Sequence, residues 1–403
     1  MRIVLFTGKG GVGKTTLAAA TAAHLARSGR KTLAVSTDPA HSLGDALECD
    51  LAAEPVEVDG TGGLFAAHID ARALLDGAWG RLREHLATVL AGAGVDELVA
   101  DELTVLPGVE ELLALSAVRR AAEAGPWEAV VVDCGPTAET LRLLALPEAV
   151  AGYLERLFPA HRRAVRGLLT RDRAAARRWE RTAEALDDLV AELAALRTVL
   201  VSPRTGVRLV LTPERVVVAE TRRTLTALAL LGLRVDGLVA NRAVPVPTAD
   251  APGAAAGWMR ERAAEQAAVL ADVERLGPPV RTVEYAAAEP TGVGALLALA
   301  AQLWGDDDPT TEPASAPALA VRRTAGSGRS ADSEFELALH LPGAATAPLD
   351  LSRIGDELAV TAAGVRRLVA LPAVLRRCTV TRARLDGDDL RVAFRPDPAL
   401  WMR

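Results

Sequence analysis

Apolar residues are laid down along this chain in three rhythms. Near the start, Ile3 to Phe6 is an unbroken apolar run, and Thr32–Ser36 and Ala129 to Val132 repeat the pattern. Short, wholly apolar runs bounded by turn residues predict strands buried on both faces, as in a parallel sheet. Between the first two lies "TTLAAATAAHLARSG", a helix from about Thr15 closed by Gly29. Two long stretches, about 71–124 and 147–200, change to i, i+3, i+4 spacing, as in "RWERTAEALDDLVAELAALRTVL", and predict helical inserts. Residues 306–332 are rich in Pro, Ser, Ala and Thr and aperiodic, which predicts a flexible linker. From residue 333 the period becomes two: Phe335, Leu337, Leu339 and Leu341 alternate with polar residues, and "GDELAVTA" and "DDLRVAF" do the same. Gly355-Asp356 and Asp386-Gly387 mark turns. The predicted fold class is α/β, with a parallel sheet and helical inserts over 1–305. A small all-β sandwich follows over 333–403.

Composition adds boundaries. The chain has 403 residues, half of them hydrophobic, and a formal net charge of −6, which gives no reason to expect nucleic acid as a partner. Cys49, Cys134 and Cys378 stand singly, with no CxxC, as expected in a reducing cytosol. The first apolar run breaks after six residues, too soon for a signal peptide, and charges interrupt the Ala/Leu-rich helices too often for a membrane span. A cytoplasmic protein is expected, with peripheral attachment at the inner membrane face left open.

Of the 46 Lys and Arg residues only Lys9, Lys14 and Lys31 are lysine, and two of those lie in "GKGGVGKTT", Gly8 to Thr16. Gly8, Gly13, Lys14 and Thr15 make G-x-x-x-x-G-K-[ST] between a strand and a helix, the context a phosphate loop requires. Gly8, Gly10, Gly11, Val12 and Gly13 can turn successive N–H groups toward phosphate oxygens, aided by the positive end of the helix. Lys14 can reach the β- and γ-phosphates, and the Thr15 hydroxyl can bind Mg²⁺. A compact ammonium fits such a nest where a forked guanidinium does not. Lys9 is not part of the general motif. It either draws anions into its own site or acts in trans, as the resemblance below implies. Mg²⁺ and a nucleoside triphosphate, ATP by the resemblance below, are the expected cofactors.

Asp38 ends the second strand, at the right end to orient and deprotonate an attacking water, and it joins Thr15 and Asp133 in the expected metal set. Pro39 would stiffen that loop, and His41 is either a ligand or base or a packing residue. Asp133 ends the strand Ala129 to Val132 and would hold Mg²⁺ through water. Gly135-Pro136-Thr137 would form a second switch loop.

Taken in order, "GKGGVGKTT", "STDPAHSL", "LPGVEELLAL", "DCGPTAETLRLLALP" and "LTPERVVVAETRR...LVANR" resemble the ArsA family, the arsenite-pump and tail-anchored-protein-targeting ATPases. The resemblance runs from Met1 to about Gly305. It implies an ATPase working as a homodimer, with Lys9 reaching the partner's nucleotide as an arginine finger would. It also implies Asn241 at the adenine ring, Thr16 at the α-phosphate, Pro213 and Glu214 near the nucleotide or dimer face, and Glu289 to Val293 beside the base. Ala138-Glu139 stand where the family usually has Gly-His, and neither the arsenite-sensing cysteines nor the zinc-binding CxxC has a counterpart here. "LHLPG", "GDELAVTA" and "LDGDDLRVAF" are similar to the α-crystallin/small-heat-shock-like domain of some bacterial members. Two coupled processes are implied: anion or metalloid export with a membrane protein, or targeting of hydrophobic clients. A DNA-partitioning ATPase fits poorly, because those proteins lack such inserts.

Overall fold

The computed structural model describes residues 1–38, 40, 42–70, 73–74, 109–134, 191–192, 194–312, 319–328, 330–344 and 349–401. Most of both helical inserts, Pro39, His41 and the second switch loop with Ala138-Glu139 lie outside these residues.

The apolar runs form an eight-stranded sheet in the order β3-β4-β2-β5-β1-β6-β7-β8. The strands are β1 (Arg2–Gly8), β2 (Thr32–Ser36), β3 (Val56–Glu57), β4 (Leu64–His68), β5 (Ala129–Asp133), β6 (Thr205–Leu211), β7 (Val235–Ala243) and β8 (Val280–Glu284). All adjacent pairs are parallel except β3 with β4. Strands β2, β5 and β6 are buried along their whole length, as the unbroken apolar runs predict.

The helices are α1 (Lys14–Arg27), α2 (Ser42–Leu47), α3 (Val109–Ala124), α4 (Arg215–Leu231), α5 (Ala254–Glu274) and α6 (Gly292–Trp304). Crossover through α1 moves toward β2, whereas α4 and α5 carry the chain the other way, to β7 and β8. Right-handed crossovers therefore place α1 on one face and α4 and α5 on the other. In keeping with this, α1 packs with α6, and α4 packs with α5. From the first insert, α3 buries Ala114, Leu115, Val118 and Ala122 in the main core, one stripe at helical spacing. This arrangement brings the C-terminal ends of β1, β2, β5, β6 and β7 to one edge, where α/β sheets bind ligands.

Beyond α6 the structure departs from the expected linker. Residues 306–312 are held against the opposite edge of the sheet: Arg281 pairs with Asp307 at 2.6 Å, Arg30 with Asp308, and Arg2 with Glu312 at 3.1 Å. Residues Leu319–Ala325 form a strand, β9, antiparallel to β10 (Glu334–His340). Its alternation is brief and its edge position leaves Arg322 and Arg323 in water, so composition hid a strand that only cross-strand pairing reveals.

The C-terminal unit completes a sandwich from β11 (Leu349–Ile354), β12 (Glu357–Ala362), β13 (Val365–Ala370), β14 (Cys378–Asp386) and β15 (Asp389–Pro396), with short helices α7 (Ala373–Arg376) and α8 (Pro398–Trp401). One sheet runs β14-β15-β10-β9 and the other β11-β12-β13. Phe335, Leu337, Leu339, Val360, Val392 and Phe394 fill the space between them. The predicted turns are present, with Gly355 and Gly387 at φ 59° and 61°. This unit rests on α4: Thr226 donates to the Pro342 carbonyl at 2.6 Å, and Arg367 donates to the Leu230 carbonyl at the helix end.

Candidate nucleotide-binding site

Between β1 and α1 the chain turns within "GKGGVGK". Two glycines are required there by space as well as by conformation. A Cβ on Gly8 would lie 2.2 Å from the Val210 carbonyl oxygen, and one on Gly13 would lie 2.3 Å from Asn241 Nδ2. Gly13, left-handed at φ 92°, is the N-cap of α1, so the first turn has no side-chain cap and its N–H groups are left for an incoming anion. The Lys14 side chain is buried, and its ammonium rests 3.4 Å from the Lys9 carbonyl oxygen. Thr16 follows half-buried in the first helical turn.

Strand register sets the chemistry beside this loop. Asp133 ends β5 opposite Phe6 on one side and Ser36 on the other. The Thr15 hydroxyl donates to Asp133 Oδ2 at 2.7 Å and the Ser36 hydroxyl to the same oxygen at 3.1 Å. Among the described residues, Oδ1 of Asp133 is buried with no hydrogen-bond partner. Burial pushes this carboxyl up to about 6, against the opposing pull of Thr15, Ser36 and Lys14. A buried acceptor-only oxygen without a donor is matched to a hard cation or its bound water, so Thr15 and Asp133 fit Mg²⁺. Among the described residues no cluster of three or more His, Cys, Asp or Glu forms a metal cage.

Asp38 lies two residues beyond Ser36. Its N–H donates to Ser36 Oγ at 3.2 Å and its Oδ1 accepts from the Ala40 N–H at 3.1 Å, which aims the carboxylate along its own loop. Cys134 packs against the core, and burial pushes its thiol up to about 12, so it stays protonated. Lys9 is half-exposed and pairs loosely, at 3.8 Å, with Glu220 on α4 of its own chain.

On the other side of the loop, Asn241 Nδ2 donates to the Val12 carbonyl at 2.8 Å and Arg242 Nη1 to the Gly11 carbonyl at 2.9 Å. Beyond them opens a cavity of about 790 Å³, lined in part by Lys9, Thr212, Trp258, Met259, Gln266 and Tyr285. Pro213 is buried between two lining residues, Thr212 and Glu214. Glu289 does not line the cavity; it is exposed further along the β8–α6 loop, where Tyr285, Ala286 and Ala287 face the space instead. Sequence reasoning missed Ser36, Arg242, Trp258 and Tyr285. Only Ser36, a polar end to an apolar strand, carried a readable signal.

The model of the anion-transporting ATPase family matches residues 1–305. This chain belongs to that family. A second model, of the HSP20-like domain found in ArsA, matches residues 332–394 of this ATPase. It is 41% identical to Protein Rv2184c of Mycobacterium tuberculosis, over 99% of this chain and 97% of that one. It is 33% identical to a Chlorobaculum tepidum protein named "Putative arsenical pump-driving ATPase", over 93% and 91% of the two chains. ATPase GET3 of Podospora anserina is 32% identical across 39% of this chain and 46% of its own. The ATPase has no helix among its described residues long and apolar enough to cross a membrane.

Proposed function

We propose that this ATPase is a cytoplasmic homodimer that hydrolyses Mg·ATP between its subunits and couples turnover to anion or metalloid export with a membrane protein. The observation that supports the Mg·ATP part of this reading is the Asp133 oxygen with no partner among the described residues, beside the Thr15 hydroxyl and the buried Lys14 ammonium. Mg²⁺ bound by Thr15 and Asp133 would offset charge on the phosphates. The N–H groups of Gly10 to Thr16 cradle the phosphate chain, and Lys14 follows the γ-phosphoryl group. Asp38 orients the attacking water and takes its proton. Asn241 borders the base, and Pro213 lies near the nucleotide or the dimer face. Lys9 acts on the partner's nucleotide, where its contribution is about 10³–10⁵ in rate. The exposed Val216, Val246, Trp258 and Tyr285, at or close to the cavity rim, suit an apolar subunit contact.

Mixed dimers test the trans assignment. A Lys9→Ala subunit paired with an Asp38→Asn subunit rebuilds one complete site only if Lys9 crosses the interface. Turnover in the mixture, absent from each parent, is the expected result. An inactive mixture overturns it.

A second reading, capture of hydrophobic clients, draws on the HSP20-like unit seated on α4. Asp38→Asn protein held with ATP should then retain apolar-tailed polypeptides. Export instead predicts turnover stimulated by an oxyanion and no such clients.

A further inference from the structure

The end of β7 is irregular. Ala240 pairs with Thr282 and Ala243 with Glu284, so three steps along β7 answer two along β8. That is a β-bulge, a device that re-aims side chains beside active sites. Arg242 lies inside it at φ 60°, a left-handed conformation uncommon for a residue with a side chain.

In a regular strand, residues 241 and 242 would face opposite sides of the sheet. Here both reach the phosphate loop and hold consecutive carbonyls, Asn241 that of Val12 and Arg242 that of Gly11. A trans peptide is planar, with its N–H directed opposite to its C=O. Fixing the Gly11 carbonyl therefore fixes the Val12 N–H, and fixing the Val12 carbonyl fixes the Gly13 N–H. Those are two donors of the anion nest. The Arg242 guanidinium is steadied in turn by the Tyr285 ring, 5.9 Å from its centroid, at the mouth of the cavity.

We propose that Arg242 is a positioning residue of the phosphate loop: the bulge turns it onto the Gly11 carbonyl, and it thereby aims the Val12 N–H at the nucleotide's phosphate chain. Asn241 alone leaves the peptide before Val12 free to rotate. The left-handed backbone is tolerated because the side chain it delivers is used.

The probes are ATP and inorganic tripolyphosphate, which lacks a base, each with Mg²⁺, applied to the full chain. Arg242→Ala should weaken both by about ten- to a hundredfold, the range for losing a charge-assisted hydrogen bond. Arg242→Lys keeps a donor and should recover much of the loss. Arg242→Gly relieves the left-handed backbone, so it should bind as poorly as Arg242→Ala while unfolding no earlier than wild type. Loss of ATP binding with tripolyphosphate unaffected would make Arg242 a base contact and overturn the proposal. A lowered melting temperature with both affinities intact would overturn it as well. So would a wild-type protein that does not take tripolyphosphate, because a nest held ready by the chain needs no base to bind its anion.

Discussion

Two aspartates, at opposite edges of one sheet, are each 1% exposed and share almost nothing else. Asp236, near the start of β7, is surrounded by guanidinium groups: Arg2 bonds Oδ2, Arg234 Nε lies 2.8 Å from Oδ1, and Arg208 adds its field. Gly206 stands beside it because any Cβ there would overlap the carboxylate. Asp133, at the end of β5, has two hydroxyls on one oxygen and, among the described residues, no partner on the other. Burial raises both carboxyls. The difference teaches where charge is structural and where it awaits a ligand: at the N-terminal edge the protein supplies the counter-charges itself, and at the C-terminal edge it leaves room for one.

The largest effect should come from exchanging their fates. Asp236→Asn removes the anion that several buried guanidinium groups share, so unfolding in urea should show a loss of about 3–5 kcal/mol, with ATP turnover of the folded fraction unchanged. Asp133→Asn removes a buried charge that the Lys14 ammonium offsets only in part. Its stability without nucleotide should hold or rise, while Mg-dependent turnover falls by about 10² or more. Equal destabilisation by the two substitutions would break the comparison.

Acid titration sharpens it. The Asp133 carboxyl stands at about 6 when folded, against 3.8 for the free group. An acid whose folded value is raised binds more protons in the native state, so its contribution is fully present below 3.8 and lost as pH rises through about 6. A gap of that size corresponds to about 3 kcal/mol. Wild-type protein free of Mg²⁺ and nucleotide should therefore lose stability between about pH 4 and pH 6 relative to Asp133→Asn. Mg·ATP should abolish that difference by stabilising the ionised form. Parallel curves for the two proteins across this window would refute the assignment.

The two edges were unequally legible in the sequence. At the C-terminal edge, Gly8 to Thr16 and Asp133 follow apolar runs directly, and strand ends placed in register by a parallel sheet converge without long-range information. Arg242 was not legible, because a bulge exists only relative to the neighbouring strand and a left-handed φ leaves no mark on an arginine. The clasp at the N-terminal edge was hidden for a related reason. Its charges, Arg2, Arg208, Asp236 and Glu312, lie up to 310 residues apart and look singly like surface residues. Lysine scarcity pointed to the right loop, yet the third lysine proved to be a packing residue, its ammonium 5.1 Å and 5.6 Å from the Phe65 and Trp127 ring centroids. The strand at Leu319–Ala325 vanished into linker composition because pairing with Glu334–His340, rather than its own propensity, makes it a strand.

The smallest effect concerns the outer part of the clasp. Glu312 pairs with Arg2 at 3.1 Å and with Arg234 at 3.6 Å, but its side chain is 46% exposed, whereas that of Asp236 is fully buried. Water screens the outer pairs, and exposed pairs contribute about 0–1 kcal/mol. Both arginines keep Asp236 as partner when Glu312 is neutralised. Glu312→Gln should therefore lower stability by less than about 1 kcal/mol, and added salt should shrink even that. A double-mutant cycle with Arg234→Met would measure the coupling directly. A coupling as large as the loss in Asp236→Asn would mean that residues 306–312 seal the inner network rather than cover it, and the N-terminal edge would have to be treated as one buried unit reaching into the connection to the β sandwich.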